Sequence, residues 1–551
     1  MLSRRELLFG LAAGQAPPAP KAGFRLVDVT KTAGIDFTHF NGAFGKKYLP
    51  ETLGPGCAFI DYDADGWQDI LLVNSMNWPG QPRSRSTLKL YRNNRNGTFT
   101  DVTRAAGLNV EHYGLGVAVG DFNNDGFQDF YLSCVGQSRL FQNNGRGGFV
   151  DVTKRAGLMG REGLSTSAMW VDYDRDGRLD LLVANYVRWT PESDIFCSFD
   201  GKVKAYCTPE AYRGATCWLF RNRGDGTFED VTGKAGLFDT SSKSLGLAML
   251  DYDNDGWPDL FIANDTQPNK LYRNNRNGTF SESAVKAGLA FSDDGRARAG
   301  MGVDAADFEN SGFASIVVTN FDNEMLGLYR GTQGGSYVDH AARSPLGQAT
   351  RRSLGFGCFF FDADLDGALD LLVVNGHIDE TISRARQDVT YAQRPHLFWN
   401  LNGNFRDIAQ ELGPEFARPK VSRGAAFGDF DLDGDLDILV TTNAGPAHLY
   451  RNDISNGSKS VRVRLIGTKS NRDAIGAVVQ FEASGGLKGT RTVKSGSSYL
   501  SQSELPVTIG LGRRESLDRL TVRWPSGRVE EYKGIKAGAR LTIIEGKGAG
   551  S

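Results

Sequence analysis

The sequence predicts an all-β chain: a seven-bladed β-propeller, closed by pairing of repeat halves from its N- and C-terminal ends and followed by a small antiparallel β domain. Three observations predict it. An acidic nine-residue loop recurs every 50 to 80 residues or so, which is blade length with insertions. A strand-turn-strand segment recurs between the loops, and one copy of that segment is split between the two ends of the repeat region.

Six loops read Asp-x-(Asp/Asn)-x-Asp-Gly-x-x-Asp. In such a loop the oxygens at positions 1, 3 and 5 converge as the backbone curls, the glycine permits the turn, position 7 offers its carbonyl and position 9 closes the cage. The candidate ligands are Asp61, Asp63, Asp65, Trp67 and Asp69, then Asp121, Asn123, Asp125, Phe127 and Asp129, then Asp172, Asp174, Asp176, Arg178 and Asp180. Asp251, Asp253, Asp255, Trp257 and Asp259 follow, then Asp362, Asp364, Asp366, Ala368 and Asp370, and last Asp429, Asp431, Asp433, Asp435 and Asp437. An all-oxygen set rich in carboxylates points to Ca2+, at about six sites. A helical EF-hand is excluded because position 12 is Leu72, Leu132, Val183, Ile262, Val373 or Val440, inside a short apolar run that reads as a buried strand. A seventh loop, DFENSGFAS from Asp307, keeps the frame with Glu309, Ser311 and Ser315 at positions 3, 5 and 9; it is expected to keep the turn and lose the metal.

Each loop joins the first strand of a blade to the second. The second half of a blade is LYRNNRNGTFTDVTRAAGL from Leu90, with further copies from Leu140, Leu219 and Leu271 and weaker ones from Leu328 and Leu397. The last copy stops at LYRN from Leu449, and its missing Asp-Val-Thr half stands at the other end, in LVDVTKTAGI from Leu26. A blade assembled from both ends removes the open sheet edges. The large insertions, residues 75–87, 186–216 and 376–395, all leave second strands, so they crowd the face opposite the loops, where function is expected. The connections that reach that face also carry His39, His112, Lys243, Arg298, Arg352, Lys420 and Arg423, each read as a solvated surface residue. Gly56, Gly116, Ser167, Gly246, Gly302, Gly357 and Gly424 precede the loops at one spacing and are read as packing around the axis.

Residues 1–23 are read as an export signal and linker, because Ser3-Arg4-Arg5 before a short apolar stretch resembles a twin-arginine leader; the propeller is assigned to 24–456 and the β domain to 459–546. The expected location is periplasmic or secreted. No apolar run reaches the roughly 18 residues of a crossing helix. Cys197 and Cys207 are expected to staple the largest insertion, with Cys217 as the competing partner, while Cys57, Cys134 and Cys358 read as buried thiols. From Lys459 onward the chain has 17 basic and 8 acidic residues, a balance of +9 within a net charge of −2, so six bound Ca2+ would leave the whole protein cationic.

Segments from Val461, Ala477, Pro506, Arg519 and Arg540 alternate like strands. SNRDAIGA from Ser470, SGSSYLSQS from Ser495, IGLG from Ile509 and VRWPSG from Val522 resemble the ASPIC/UnbV domain, and the acidic loops resemble FG-GAP/VCBS calcium repeats. With NGHIDE from Asn375 and YCTPEAYRG from Tyr206, the chain resembles the cartilage acidic protein family and its bacterial relatives from about residue 24. That resemblance implies an exported calcium-binding propeller and leaves the activity undefined.

Two functions stay open at this point. The first is a monomeric scaffold with structural metals that binds a protein or glycan through the insertion-rich face. The second is an enzyme of natural-product chemistry with its site near the axis on that face, using His377, Asp379 and Glu380 with Arg298 or Arg352 as a clamp. A nucleic-acid partner is disfavoured for want of an interleaved aromatic and basic platform.

Overall fold

The computed structural model describes residues 21–81, 86–198 and 201–550, so the twin-arginine segment lies outside the described residues. The first blade shows the common plan: strands Cys57–Ile60, Asp69–Leu72, Lys89–Asn93 and Phe99–Asp101 pair antiparallel in that order. The second strand is buried along its whole length, as its apolar run requires. Seven four-stranded units of this kind follow one another, and each first strand packs beside the next, the seventh returning to the first. In the third unit the first strand, Glu162–Val171, is long enough to pair also with Asp129–Gln137 of the second.

The split unit closes as the sequence predicts. Phe24–Asp28 pairs with His448–Ile454 in antiparallel register, Phe24 opposite Ile454. The Asp-x-Thr element explains the repeat in physical terms. Asp101 accepts from Thr103 N–H at 2.9 Å, and the Thr103 hydroxyl accepts Leu90 N–H at 3.0 Å, tying the fourth strand to the third. Asp28 and Thr30 make the same bonds across the chain ends, Thr30 Oγ1 accepting Leu449 N–H at 2.8 Å.

A second repeated contact joins neighbouring units. Asp69 accepts Asn93 N–H at 2.7 Å, and the Asn93 amide donates to Phe430 O of the preceding unit at 2.8 Å. Asn143, Asn222, Asn274, Asn400 and Asn452 repeat the reach to Tyr62, Phe122, Tyr173, Phe308 and Ala363. These asparagines are staples between sheets.

The C-terminal domain is two four-stranded sheets, Val507–Gly512, Lys459–Ile466, Arg540–Ile544 and Gly548–Gly550 in one and Leu487–Thr492, Val478–Ala483, Ser516–Arg523 and Val529–Lys536 in the other. Pairing is antiparallel except for Lys459–Ile466 with Arg540–Ile544, which run parallel. The domain sits on the loop face of the ring. Asp473 accepts Asp121 N–H at 2.7 Å, Arg464 lies 3.4 Å from Asp61, and Arg491 donates to Gly367 O at 3.0 Å.

Between its sheets, residues 495–503 enter the axis of the ring. Phe59 N–H donates to Gln502 O at 3.1 Å, Val117 N–H to Leu500 O at 3.1 Å and Val303 N–H to Ser498 O at 2.9 Å. The small residues before each loop now have a fuller reason. A methyl group at Gly56 would strike Leu500 O, one at Gly424 would meet Ser501, and Ser167 accepts Leu500 N–H at 3.3 Å. Gly246, Gly302 and Gly357 instead make room for the backbone of the adjacent first strand.

Candidate metal loops and the insertion face

All seven loops share one backbone curl. The residue at position 4 is left-handed, with φ between 54° and 57° at Ala64, Asn124, Arg175, Asn254, Asn310, Leu365 and Leu432, and the following glycine has φ between 85° and 101°. Asparagine, which tolerates this region, stands at position 4 in three of the seven loops, while leucine adopts it twice at a steric cost. In six of the seven the glycine N–H then donates to the carboxylate at position 1, at 2.8 Å for Gly126 to Asp121 and 3.0 Å for Gly367 to Asp362; Asp429 is the exception, its two oxygens meeting no donor.

The curl gathers the predicted carboxylates. Asp61, Asp63 and Asp69 place ligand oxygens within 4.8 Å of one another, as do Asp172, Asp174 and Asp180, then Asp362, Asp364 and Asp370, and Asp429, Asp431 and Asp437. In the fourth blade the trio is Asp251, Asp253 and Asp255. In the second, Asn123 stands at position 3 and donates to Asp125 at 2.8 Å, while Asp129 at position 9 accepts Asn143 N–H at 2.7 Å. Arginines of the third strand and of the turn after it offset part of the charge: Arg95 bonds Asp65, Arg221 bonds Asp174, and Arg273 and Arg276 bond Asp253 and Asp255. At position 5, Asp65, Asp125, Asp176, Asp255 and Asp366 also accept the N–H of Trp67, Phe127, Arg178, Trp257 and Ala368.

What remains is a set of buried oxygens with no donor. They are Asp63 Oδ1, Asp174 Oδ1, Asp253 Oδ1, Asp362 Oδ1, Asp431 Oδ1, Asp435 Oδ1 and both oxygens of Asp429. Burial pushes Asp61 and Asp251 up to about 6, Asp172 to about 7 and Asp435 to about 9. Buried carboxylates without donors are costly unless a cation meets them, and oxygen donors at this spacing fit a hard divalent ion.

The opposite face is built from the insertions. Trp78, Tyr113, Trp189 and Tyr48 form one aromatic cluster, Trp78 lying 4.3 Å from Tyr113 and 5.3 Å from Trp189. Cys197 and Cys207 are bonded, while Cys217 is a buried free thiol beside Ser244. Tyr499 and Leu500, at the tip of the axial segment, pack beneath this cluster and are 0% and 1% exposed.

The candidate catalytic groups are not gathered there. His377 accepts Asp379 N–H on Nδ1 at 3.0 Å, so its proton sits on Nε2, 3.7 Å from Asp322, and burial lowers its pKa to about 4. Asp379 caps Thr381 at 2.7 Å, and Glu380 pairs with Lys47. Arg298 pairs with Asp339 at 3.1 Å on the outer edge of the fifth blade, while Arg352 has a side chain 73% exposed and lies 3.9 Å from Asp388.

Three residues read as solvated are buried. His39 accepts Ala444 N–H at 3.1 Å, and Lys243 donates to Pro209 O at 2.8 Å. Arg423 is fully buried; it donates to the carbonyls of Thr52, Gly376, Ser422 and His377 and stacks 3.9 Å from the Phe356 ring. Five donors in a planar fork suit a joint where three loops meet, a role invisible along the chain.

Fold and site together define a protein of closed β-sheet repeats whose inter-strand loops are built as carboxylate cages. The chain belongs to the FG-GAP-like repeat family, whose pattern matches residues 61–132, 131–183, 194–262, 251–318 and 385–440, and it carries an ASPIC and UnbV domain over residues 467–550. It is 26% identical over 386 residues to "Cartilage acidic protein 1" of Homo sapiens, covering 69% of this chain and 53% of that protein. The Mus musculus protein of that name is 27% identical, over 66% of this chain and 52% of its own length. The chain thus matches about half the length of these curated relatives. Among solved structures, BP39L lectin from Burkholderia pseudomallei is 10% identical, with 73% of this chain and 96% of that one covered at a TM-score of 0.45.

Proposed function

We propose that this chain is an exported scaffold, fastened by about six Ca2+ ions, that binds a partner protein through its insertion-rich face. The observation that carries it is the cluster of buried carboxylate oxygens without donors in the acidic loops of intact repeats, eight of them between Asp63 and Asp435. The metals are structural here. The disulfide supports export, since such bonds persist in oxidising compartments, and no helix among the described residues is long and apolar enough to cross a membrane.

Binding is favoured over axial catalysis because Tyr499 and Leu500 occupy the axis and Arg423 is spent on carbonyls. The partner surface is centred on the stapled loop. Ile195 and Phe196, next to the Cys197–Cys207 disulfide, are 42% and 59% exposed, the kind of apolar anchor that interfaces use. Probing extracellular protein and glycan arrays with the full chain in Ca2+, in EDTA, and as an Ile195→Ser, Phe196→Ser double variant tests this. A protein signal lost in both altered conditions is expected. A signal that survives EDTA and the double variant alike, or one confined to glycans, overturns it.

A further inference from the structure

Of the eight buried loop carboxylate oxygens that meet no donor, four stand in the seventh loop: both of Asp429, Oδ1 of Asp431 and Oδ1 of Asp435. Among the described residues no other loop has more than one. The sequence and the packing both set this loop apart. It carries five aspartates, Asp429, Asp431, Asp433, Asp435 and Asp437, where the other intact loops carry three or four. The extra one is Asp435 at position 7, where the others have Trp67, Phe127, Arg178, Trp257 and Ala368, whose side chains are no cation ligands. Asp435 is 5% exposed, and the charges of Asp433, Asp431 and Asp429 act on it, so its carboxylate belongs to the cage. The cations that offset other loops are spent here: Arg451 of the third strand bonds Asp453 at 2.7 Å, and Arg462, 3.6 Å from Asp429, gives both Nη groups to Glu504 at 2.5 Å. The C-terminal domain grips the same curl. Ser460 donates to Gly434 O at 2.5 Å, Arg540 donates to Leu432 O, and Glu504 accepts Asp429 N–H at 3.2 Å. The blade beneath is the split one, closed by Phe24–Asp28.

We propose that the seventh loop is the tightest calcium site of the chain, with Asp435 as its distinguishing ligand, and that its ion latches the C-terminal domain to the blade that closes the ring. Calcium affinity rises with the number of charged ligands and with the rigidity of the cage. Five crowded aspartates repel one another until a cation enters, so this loop gains most from loading. The ion fixes the curl, and with it the carbonyls of Leu432 and Gly434 and the N–H of Asp429 that Arg540, Ser460 and Glu504 engage. Without it, the same repulsion pulls these partners apart. The latch rests on the calcium reading above and adds to it an order of filling and a coupling between domains.

Titration of the calcium-free full chain with Ca2+ against a competing chelator, with hydrogen exchange read at each equivalent, tests it. One ion is expected to bind at least about tenfold more tightly than the rest. Asp435→Ala should bring that step into the range of the others while the total number of ions stays the same. Asp364→Asn, in the sixth loop, should leave the tight step as it is. Amides of residues 459–466 and 495–504 should gain protection with the first equivalent in the parent, and only with later ones in Asp435→Ala. A single class of equal sites, a tight step that survives Asp435→Ala, or protection that arrives only with later ions in the parent overturns the proposal and leaves the calcium reading standing. No uptake of Ca2+ removes both.

Discussion

In the sixth blade Asp362 Oδ1 is buried and meets no donor, whereas in the fifth the equivalent Asp307 uses both oxygens. Its Oδ1 accepts Ser311 N–H at 2.8 Å and the Ser311 hydroxyl at 3.2 Å, and its Oδ2 accepts Gly312 N–H at 2.7 Å. Glu309 at position 3 is drawn off to Arg330. The curl is nonetheless the same, with φ 54° at Asn310 and 87° at Gly312. Turn and cage are therefore separable properties of one loop: position 1 and the glycine make the turn, and positions 3, 5 and 9 decide whether oxygens are left over for a cation. The loss has a companion. Asp370 holds the Asn400 staple to Phe308, but in the fifth blade Ser315 faces Gly331, and among the described residues no side-chain amide of that blade reaches back to the fourth.

The largest effect that could break this comparison is removal of metal. At a hundredfold excess over its dissociation constant, each site adds about 2.7 kcal/mol, and a whole domain is stable by about 5–15 kcal/mol. Two or three occupied loops thus rival the entire stability of an ordinary domain. Melting in EDTA should fall by tens of degrees and recover on adding Ca2+. An unchanged melting temperature would remove metal from the account and leave the orphaned oxygens unexplained.

A smaller effect sharpens the contrast loop by loop. Asp362→Asn with Asp364→Asn should lower the calcium stoichiometry by one and lower the melting temperature. Asp307→Asn should change neither stoichiometry nor calcium-dependent melting. In the opposite direction, Glu309→Asp, Ser311→Asp and Ser315→Asp together should add one calcium. A triple variant with unchanged stoichiometry would mean that the fifth blade departs in backbone as well as ligands.

How much of this was legible along the chain follows from where each signal lives. Carboxylate spacing, glycine at position 6 and the apolar run after each loop are local, so the repeat, the candidate cages and the split blade could be read directly. The axial segment was seen only as SGSSYLSQS, because nothing in seven small or polar residues around Tyr499 and Leu500 says that they thread a ring of glycines more than 70 residues away at the nearest. Arg423 looked like a surface cation for the same reason: its carbonyl partners, on Thr52, Gly376 and His377, come from segments distant in sequence. The asparagine staple was in plain view at the end of each Leu-(Tyr/Phe)-x-Asn run, LYRN, LFQN, LFRN or LFWN, but its acceptor belongs to the preceding blade.

The smallest predicted effect lies at the outer edges of the same two blades. Asp339 of the fifth accepts Ala341 N–H at 2.9 Å and pairs with Arg298 at 3.1 Å. Asp407 of the sixth lies 2.8 Å from both His396 and Arg394. Burial works against the Asp407 carboxylate, yet the His396 bond and the Arg394 charge together hold its pKa below the ordinary value. A depressed folded pKa means that the unfolded chain binds the proton more readily. The stabilisation is complete above the ordinary carboxylate range and is lost as pH falls through it toward the depressed value. Asp407→Asn should therefore cost about 1 kcal/mol at neutral pH, with the gap to the parent closing as pH falls toward about 3. Denaturant unfolding of both proteins in Ca2+ across that range checks it; a gap that stays constant with pH would assign the loss to shape rather than to charge.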